Sequence, residues 1–477
     1  MKIVFIINTI TISDPLGIMY LSSALKGAGH ETDLICFKKE NVFQKLKELK
    51  PNIIAYSITT GNHREYIALN KEIKKHFEVY AVFGGPHPTF YPEMIEEEGV
   101  NAICRGEGEE AFTEFVNRFE KKKSPEKTKN FWVKIGNNII KNPMRDLTQN
   151  LDNLSFPDRE IIYKKDELLR DLKMKRFITS RGCPFKCSYC FNKQYNEIYK
   201  HNKGKIIRQR SVNNVLEEIK EVKKKYPLGV VKLVDDTFNI NENWLIEFCE
   251  KYKQEIGLPF ICNVRADLMT PEIAKNLKSA NCILVYMGIE NGDEKIRRDV
   301  LERNMTNEQI LNACDMIKKQ GIKITSQNML GLPGENLEDS FKTIQLNSKC
   351  KPNLSGFSIF QPYPGTALSN YAIANDFFDG NFDKLDTSYL NTTALKYNPY
   401  DKRRLENLHK LSIIAVRFPI LHPLIKQMIK LPKNKIYDFF YLISYGWSQW
   451  RIYSIISGSG IESIKLIKKS FEYLFKT

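Results

Sequence analysis

The chain has no apolar run of the roughly eighteen residues that a bilayer-spanning helix requires, so an integral membrane protein is not expected. It has no low-complexity tract and no internal repeat, which sets aside fibrous and solenoid architectures. No small-residue cleavage site follows Met1–Asn8, and that segment's apolar core is too short for a signal peptide. It reads instead as a buried first strand. Its cysteines show no disulfide framework. Of ten, Cys36, Cys104, Cys249, Cys262, Cys282, Cys314 and Cys350 lie scattered, mostly in apolar surroundings. That is the usage of a reduced, cytoplasmic protein. A net charge of +16 comes without any recognised nucleic-acid motif. The excess is mainly lysine, and nucleic-acid binding is not expected.

What is present is a globular composition, 42% hydrophobic and 27% charged over 477 residues, enough for two or three domains. The remaining three cysteines sit together in Arg181-Gly182-Cys183-Pro184-Phe185-Lys186-Cys187-Ser188-Tyr189-Cys190-Phe191-Asn192. Gaps of three and two can wrap three thiolates around one metal centre. A four-iron four-sulfur cubane takes four thiolates, so three leave one iron open to a substrate. Two other readings compete: small buried apolar cysteines, and zinc. Against the first, Arg, Gly, Pro and Lys break any hydrophobic alternation. Against the second, no His or fourth Cys lies close by.

Cys-x3-Cys-x2-Cys with Tyr189 before the third cysteine resembles the signature of the radical SAM enzymes. The resemblance implies a 4Fe–4S cluster on Cys183, Cys187 and Cys190. It implies S-adenosylmethionine on the open iron, reductive cleavage to a 5′-deoxyadenosyl radical, and an electron donor such as flavodoxin or ferredoxin. From about 174 to 385 strands and helices alternate six times, which fits the partial (βα)6 barrel of that family, with chemistry at the C-terminal strand ends. Asp235 and Asp236 follow the second strand, where an acidic pair can accept from the SAM ammonium. A helix cap at Asp236 or Asn239 is the alternative there. Arg265 follows the third strand and could pair with a carboxylate. Glu290, in Gly288-Ile289-Glu290-Asn291-Gly292, resembles the family's SAM-contacting acid. Asn328 and Gly331-Leu332-Pro333-Gly334-Glu335 end the fifth strand, near the expected adenine. Gln361-Pro362-Tyr363-Pro364-Gly365-Thr366 resembles the family's Pro-Tyr-Pro-Gly-Thr. Tyr189 or Tyr363 as a hydrogen relay is indistinguishable from a packing aromatic.

Residues 1–135 also alternate strand and helix, which argues for a Rossmann-like, doubly wound parallel sheet with its ligand at the strand C-termini. Leu16-Gly17, Gly29-His30, Gly84-Gly85-Pro86-His87-Pro88-Thr89 and Arg105-Gly106-Glu107-Gly108-Glu109 resemble the cobalamin-binding domain that precedes the barrel in one radical SAM subgroup. Gly84, Gly85, His87, Thr89 and Glu107 are the implied cofactor contacts, holding cobalamin against the barrel mouth. The loop Asn8–Leu16 lacks the Asp-x-His-x-x-Gly motif that ligates cobalt from below, as members of that subgroup usually do. His63 and His87 are then candidate lower ligands or plain loop residues, and a vestigial Rossmann-like domain stays open.

Residues 136–170 read as a linker, with a β-hairpin around Gly136-Asn137-Asn138 at its start. Residues 171–385 are the barrel. Residues 386–477 form a mainly helical, apolar and basic segment in which Leu411–Ile420, Leu424–Leu431 and Ile436–Ser444 read as helices, with Tyr441, Tyr445, Trp447, Trp450, Arg451 and Tyr453, and with Lys465, Lys468 and Lys469 near the end. It is a packing cap, a substrate lid or an amphipathic surface for peripheral membrane contact. The whole reads as a cytoplasmic, cobalamin-dependent radical SAM enzyme that methylates an unactivated carbon or phosphorus centre of a small-molecule, lipid-like or peptidic substrate. A radical SAM cyclase, oxidoreductase or C–C coupling enzyme is the alternative, and a non-catalytic cobalamin or redox sensor the remote one.

Overall fold

The structure is a computed structural model. It describes residues 1–457 other than 387 and 389, without the side chains of 452, 453 and 455–457. The chain divides into two compact units, residues 1–171 with 194–208, and residues 172–193 with 209–477.

In the first unit seven strands form one sheet in the order β2-β1-β3-β4-β5-β6-β7. They are β1 (Lys2–Ile7), β2 (Glu31–Cys36), β3 (Ile53–Ser57), β4 (Tyr80–Gly84), β5 (Ala102–Cys104), β6 (Phe131–Ile135) and β7 (Asn138–Lys141). The first five are parallel, and their near-continuous apolar runs are buried because helices α1 (Leu16–Gly27), α2 (Val42–Leu49), α3 (His63–His76) and α4 (Glu109–Glu120) connect them. The expected hairpin is β6–β7. It turns at Gly136 (φ +57°) and extends the sheet antiparallel from β5, pairing Ala102 with Val133. The stretch read as a linker therefore belongs to this unit. Asp158 adds a tie by accepting from Ser22 Oγ at 2.6 Å.

In the second unit six parallel strands run in sequence order, β8 (Met174–Phe177), β9 (Val230–Leu233), β10 (Phe260–Val264), β11 (Cys282–Glu290), β12 (Lys323–Leu330) and β13 (Leu354–Ile359). Sequential parallel order with a helix after each strand is the partial (βα)6 barrel. The helices start where side chains satisfy their first N–H groups. Ser211, Asn241, Thr270, Thr306 and Asn336 cap α5 (Val212–Lys225), α6 (Glu242–Glu255), α7 (Pro271–Ser279), α8 (Asn307–Lys319) and α9 (Leu337–Cys350). Each cap is worth about 1 kcal/mol. Between sheet and helices, Phe238, Trp244, Phe248, Tyr252 and Phe260 pack ring on ring, with Trp244 and Phe248 stacked at 5.3 Å. Each such pair adds about 0.5–1.5 kcal/mol beyond its burial.

The C-terminal segment packs on the edge strand β13 through α10 (Pro399–Arg417), followed by α11 (His422–Met428) and α12 (Lys435–Ser457). The helices differ from the sequence reading in length. α10 starts twelve residues earlier than the apolar stretch at Leu411 because Asn398 caps it and Pro399 opens it. Lys465, Lys468 and Lys469 lie outside the described residues, as does the side chain of Tyr453.

Candidate functional site

The cysteine loop leaves β8, and its start is set by one carboxylate. Oδ1 of the buried Asp235, just past β9, accepts from the backbone N and side-chain hydroxyl of both Thr179 and Ser180, at 2.5–2.9 Å. These bonds pull residues 179–180 off the strand, so β8 ends at Phe177. Burial raises the Asp235 pKa while the four donors work against it. Its Oδ2 is buried and has no partner. Asp236, next to it, accepts from Asn192; desolvation raises its pKa against that bond.

Four strand ends then fasten the loop. Ser188 N donates to Leu301 O at 2.9 Å, and Leu368 N donates to Ser188 O at 2.8 Å. Cys183 Sγ lies 4.0 Å from Thr237 Oγ1. Cys187 Sγ accepts from two guanidiniums, Arg265 Nη1 and Arg303 Nη1, each at 3.8 Å. Burial raises the thiol pKa of Cys183, and that of Cys190 to about 12. A thiolate at either position therefore depends on nearby positive charge, which the two arginines bring to the loop at Cys187. Among the described residues no three His, Cys, Asp or Glu groups converge as ligands of a single ion. A cubane does not require it, since each thiolate takes its own iron.

Glu290, the last residue of β11, is half-buried with a left-handed φ of +67°. Burial raises its pKa, opposed by Arg303, a Tyr189 hydrogen bond and Arg265. Arg303 Nη2 also donates to Gly288 O at 2.8 Å, and its Nη1 lies 3.4 Å from Tyr189 Oη. A Cβ at Gly288 would meet Glu290 Oε1 at 2.1 Å, so any larger residue there displaces that carboxylate. Tyr189, Glu290, Arg265, Arg303 and Cys187 thus form one network, buried at its two guanidiniums and Cys187.

Two expected ligand contacts also have partners within the chain. Arg265, placed to pair with a carboxylate, is bidentate to Asp267 at 3.0 and 2.8 Å and stacks 3.4 Å over Phe185. It positions the cysteine loop. Asn328 lies inside β12, two residues before its end, and exchanges hydrogen bonds with Asn347 while donating to Gly356 O. Arg303 carried no motif in the sequence; it follows a π-helical turn, Ile296–Val300, that pattern reasoning does not read.

A cavity of about 570 Å³ opens from this network into the barrel. Tyr189 and Glu290 line one end, Gln327 and Asn328 the strands, and Tyr441 and Tyr445 of α12 the far wall. Lys232 rests 4.7 Å over the ring of Tyr286, another cavity residue. Burial, with Arg176 beside it, pushes its ammonium down to about 8.

In the first unit the expected loops do lie at strand C-termini. Gly85 has φ +94°, and a Cβ there would stand 2.9 Å from Ile58 N and O, so only glycine fits. Thr89 Oγ1 donates to Gly85 O at 2.8 Å and accepts from Gly106 N at 3.0 Å, joining two of the loops. His87 is buried, bonded through Nδ1 to Thr60 Oγ1 at 2.9 Å and stacked on His63 at 4.1 Å. Burial, then His63, pushes its pKa down to about 3, so the imidazole is neutral, and its Nε2 has no partner. Glu107 is not free for a ligand: Arg208 holds it bidentately at 2.7 and 2.9 Å.

These residues fit the implied groups. Two buried cysteines and a half-buried third, with two guanidiniums on Cys187, suit a cluster. The partnerless Asp235 Oδ2 and the half-buried Glu290 suit an ammonium. A glycine-only turn beside a neutral, partnerless imidazole nitrogen suits a corrin.

The comparisons agree. Residues 177–346 match the Radical SAM superfamily and residues 4–116 the B12 binding domain. An uncharacterized methyltransferase of Pyrococcus horikoshii is 30% identical over 380 residues, covering 77% of this chain and 80% of that protein. The anaerobic magnesium-protoporphyrin IX monomethyl ester cyclase of Cereibacter sphaeroides is 28% identical over 382 residues, 74% of this chain. This chain spans only 59% of the cyclase's length. The solved structure of OxsB, a cobalamin-dependent S-adenosylmethionine radical enzyme with aqua-cobalamin and S-adenosylmethionine bound, matches with a TM-score of 0.68 at 15% identity. It covers 100% of this chain and 80% of that one, and shows the shared fold. The chain belongs to the radical SAM superfamily, in the group that carries a B12-binding domain. It is a cobalamin-dependent, methyltransferase-like radical SAM enzyme that uses a 4Fe–4S cluster, S-adenosylmethionine and cobalamin.

Proposed function

We propose that this enzyme transfers a methyl group to an unactivated carbon, or phosphorus, of an amphipathic small molecule held in the barrel cavity. The carrying observation is the continuity of that cavity with the Tyr189–Glu290–Arg303 network around the cysteine loop. When bound, the cofactors supply reductive cleavage of S-adenosylmethionine and the methyl group itself. The chain supplies placement and exclusion of water. Cys183, Cys187 and Cys190 hold the cluster, with Arg265 and Arg303 compensating the charge of Cys187. Asp235 Oδ2 and Glu290 hold the S-adenosylmethionine ammonium. Gly84, Gly85, His87 and Thr89 hold cobalamin. The cavity's wall of tyrosines and amides suits an apolar body with a few hydrogen-bonding groups, lipid-like or peptidic. An acidic electron-transfer protein such as flavodoxin or ferredoxin is the reductant, for which a net charge of +16 is complementary. The enzyme works in the cytoplasm, in contact with a membrane surface.

Anaerobic reconstitution with counts of iron, sulfide and cobalt tests the cofactor assignment. Turnover with methyl-deuterated S-adenosylmethionine and a cell lipid or peptide extract tests the reaction. Labelled methyl groups in product support the reading. 5′-Deoxyadenosine without any methylated product would favour a cyclase or oxidoreductase, the second reading, which the 28% identity to a cyclase keeps in view.

A further inference from the structure

Helix α12 is apolar on both sides. At about 100° per residue, Tyr437, Tyr441, Tyr445 and Ser448 share one face, which is buried or half-buried. Tyr441, Tyr445 and Gln449 line the cavity. The opposite arc presents Ile436, Phe439, Ile443, Trp447 and Trp450, each 45–61% exposed. The turns before it add Phe418, Leu424 and Leu431 at 52–55% and Ile420 at 88%. Singly exposed apolar residues are ordinary, but a contiguous patch of large ones marks an interaction surface.

Charge selects the partner. Between 417 and 451 stand Arg417, Lys426, Lys430, Lys433, Lys435 and Arg451, of which Lys426 and Lys433 pair with Glu338 and Glu406, against one acid, Asp438, which Lys410 already pairs. A second copy of this surface would set cations against cations. Aromatic and aliphatic residues interleaved with lysine and arginine are instead the pattern of a helix lying in an anionic bilayer interface. Among the described residues no helix is long and apolar enough to cross a membrane. A groove of about 230 Å³ lies between this patch and residues that also line the cavity. Arg417, Trp447 and Arg451 line it, and it shares Leu354, Ser355 and Ile413 with the cavity. Neither guanidinium has a carboxylate partner among the described residues, and Arg451 stacks 4.9 Å over Trp447.

We propose that residues 417–451 dock on an anionic bilayer, and that the substrate is an amphipathic lipid-like molecule drawn from it through the Arg417–Arg451 groove. The substrate clause rests on the methyl-transfer reading above; the docking surface does not.

The test is co-sedimentation of the full chain, without cofactors, with phosphatidylcholine vesicles containing about a third phosphatidylglycerol. Binding is expected, weakening as salt rises from about 0.1 to 1 M, with a blue shift of tryptophan emission. The triple substitution Ile420→Glu, Phe439→Glu, Ile443→Glu lowers partitioning about 100-fold or more, while circular dichroism and reductive formation of 5′-deoxyadenosine stay at the parent level. Arg417→Gln with Arg451→Gln weakens binding to anionic vesicles and leaves neutral ones unaffected. No vesicle binding, equal binding by the triple variant, or a dimer in sedimentation velocity that this variant dissociates would each overturn the proposal. Because vesicle binding needs neither cofactor nor turnover, its failure leaves methyl transfer standing, and absent methyl transfer leaves the docking surface standing.

Discussion

Replacing Asp235 by alanine strips one acceptor from four donors. Thr179 N and Ser180 N cannot turn away, so two buried backbone N–H groups lose their partner, at about 1–3 kcal/mol each. The two hydroxyls can rotate to other acceptors and cost less. Relief of the carboxylate's own desolvation, which raises its pKa, offsets part of the loss. The net is about 2–4 kcal/mol. For a unit of this size that lowers Tm by about 5–10 °C. Asp235→Asn keeps an oxygen at the same place, and the expected loss is about 1 kcal/mol. Because Ser180 is three residues from Cys183, the alanine variant also binds less iron on reconstitution, while the asparagine variant keeps most of it. Anaerobic scanning calorimetry with an iron count reads both effects. If the alanine variant melts within about 1 °C of the parent and takes up the same iron, the carboxylate is not what sets the loop, and the reasoning is refuted.

Gly288→Ala drives a Cβ into Glu290 Oε1. The side chain can move, so the fold survives, but S-adenosylmethionine affinity falls about tenfold or more by calorimetry; a Kd within about twofold of the parent would remove Glu290 from the site. Gly85→Ala forces an L-residue to φ +94° against Ile58 backbone, at about 1–3 kcal/mol. Cobalamin retention measured by absorbance after gel filtration is expected to drop, and unchanged retention would place the corrin elsewhere. Alanine at Cys183, Cys187 or Cys190 removes the visible iron–sulfur absorbance; a full signal from any one of them would exclude that ligand. His409 is buried with Nε2 facing Phe357 O at 3.1 Å, and burial pushes its pKa down to about 4. The unfolded chain titrates at about 6.5, so the stability this neutral imidazole confers is present above pH 6.5 and is lost as pH falls toward 4, by up to about 3 kcal/mol. Glu335, raised to about 7 by burial, runs the other way, its contribution falling as pH rises from about 4.5 to 7. Comparing parent with His409→Gln in urea melts isolates the first effect, and parallel pH profiles would contradict it.

Strand and helix alternation made both sheets readable, because parallel strands buried on two faces leave unbroken apolar runs. The hairpin at Gly136 was equally plain. Cys183, Cys187 and Cys190 stood out since their spacing has few structural uses. Side chains whose neighbours come from distant strand ends were harder. Arg265 was read as a ligand contact, and Asp267, two residues on, takes two of its three guanidinium nitrogens. Glu107 was read as a cofactor contact, but Arg208 is a hundred residues away and no local pattern announces it. Arg303 follows a π-helical turn that breaks the 3.6-residue period. α12 was read as ending at Ser444 because it is apolar all round, and a helix without a polar face shows no period to count.

That helix is also a partition one helix thick, about 10 Å. Tyr441 and Tyr445 face the cavity on one side of a rigid rod whose other side carries Phe439, Ile443 and Trp447. A ligand that prefers one tilt of the rod changes what the outside presents, and whatever grips the outside selects among ligands within, by the same free energy in each direction. Trp447 rides on that rod and lines the groove beside the cavity. The difference in emission between the parent and Trp447→Phe, followed as ligand is added, is the measurement that reads whether cavity occupancy reaches the outer side.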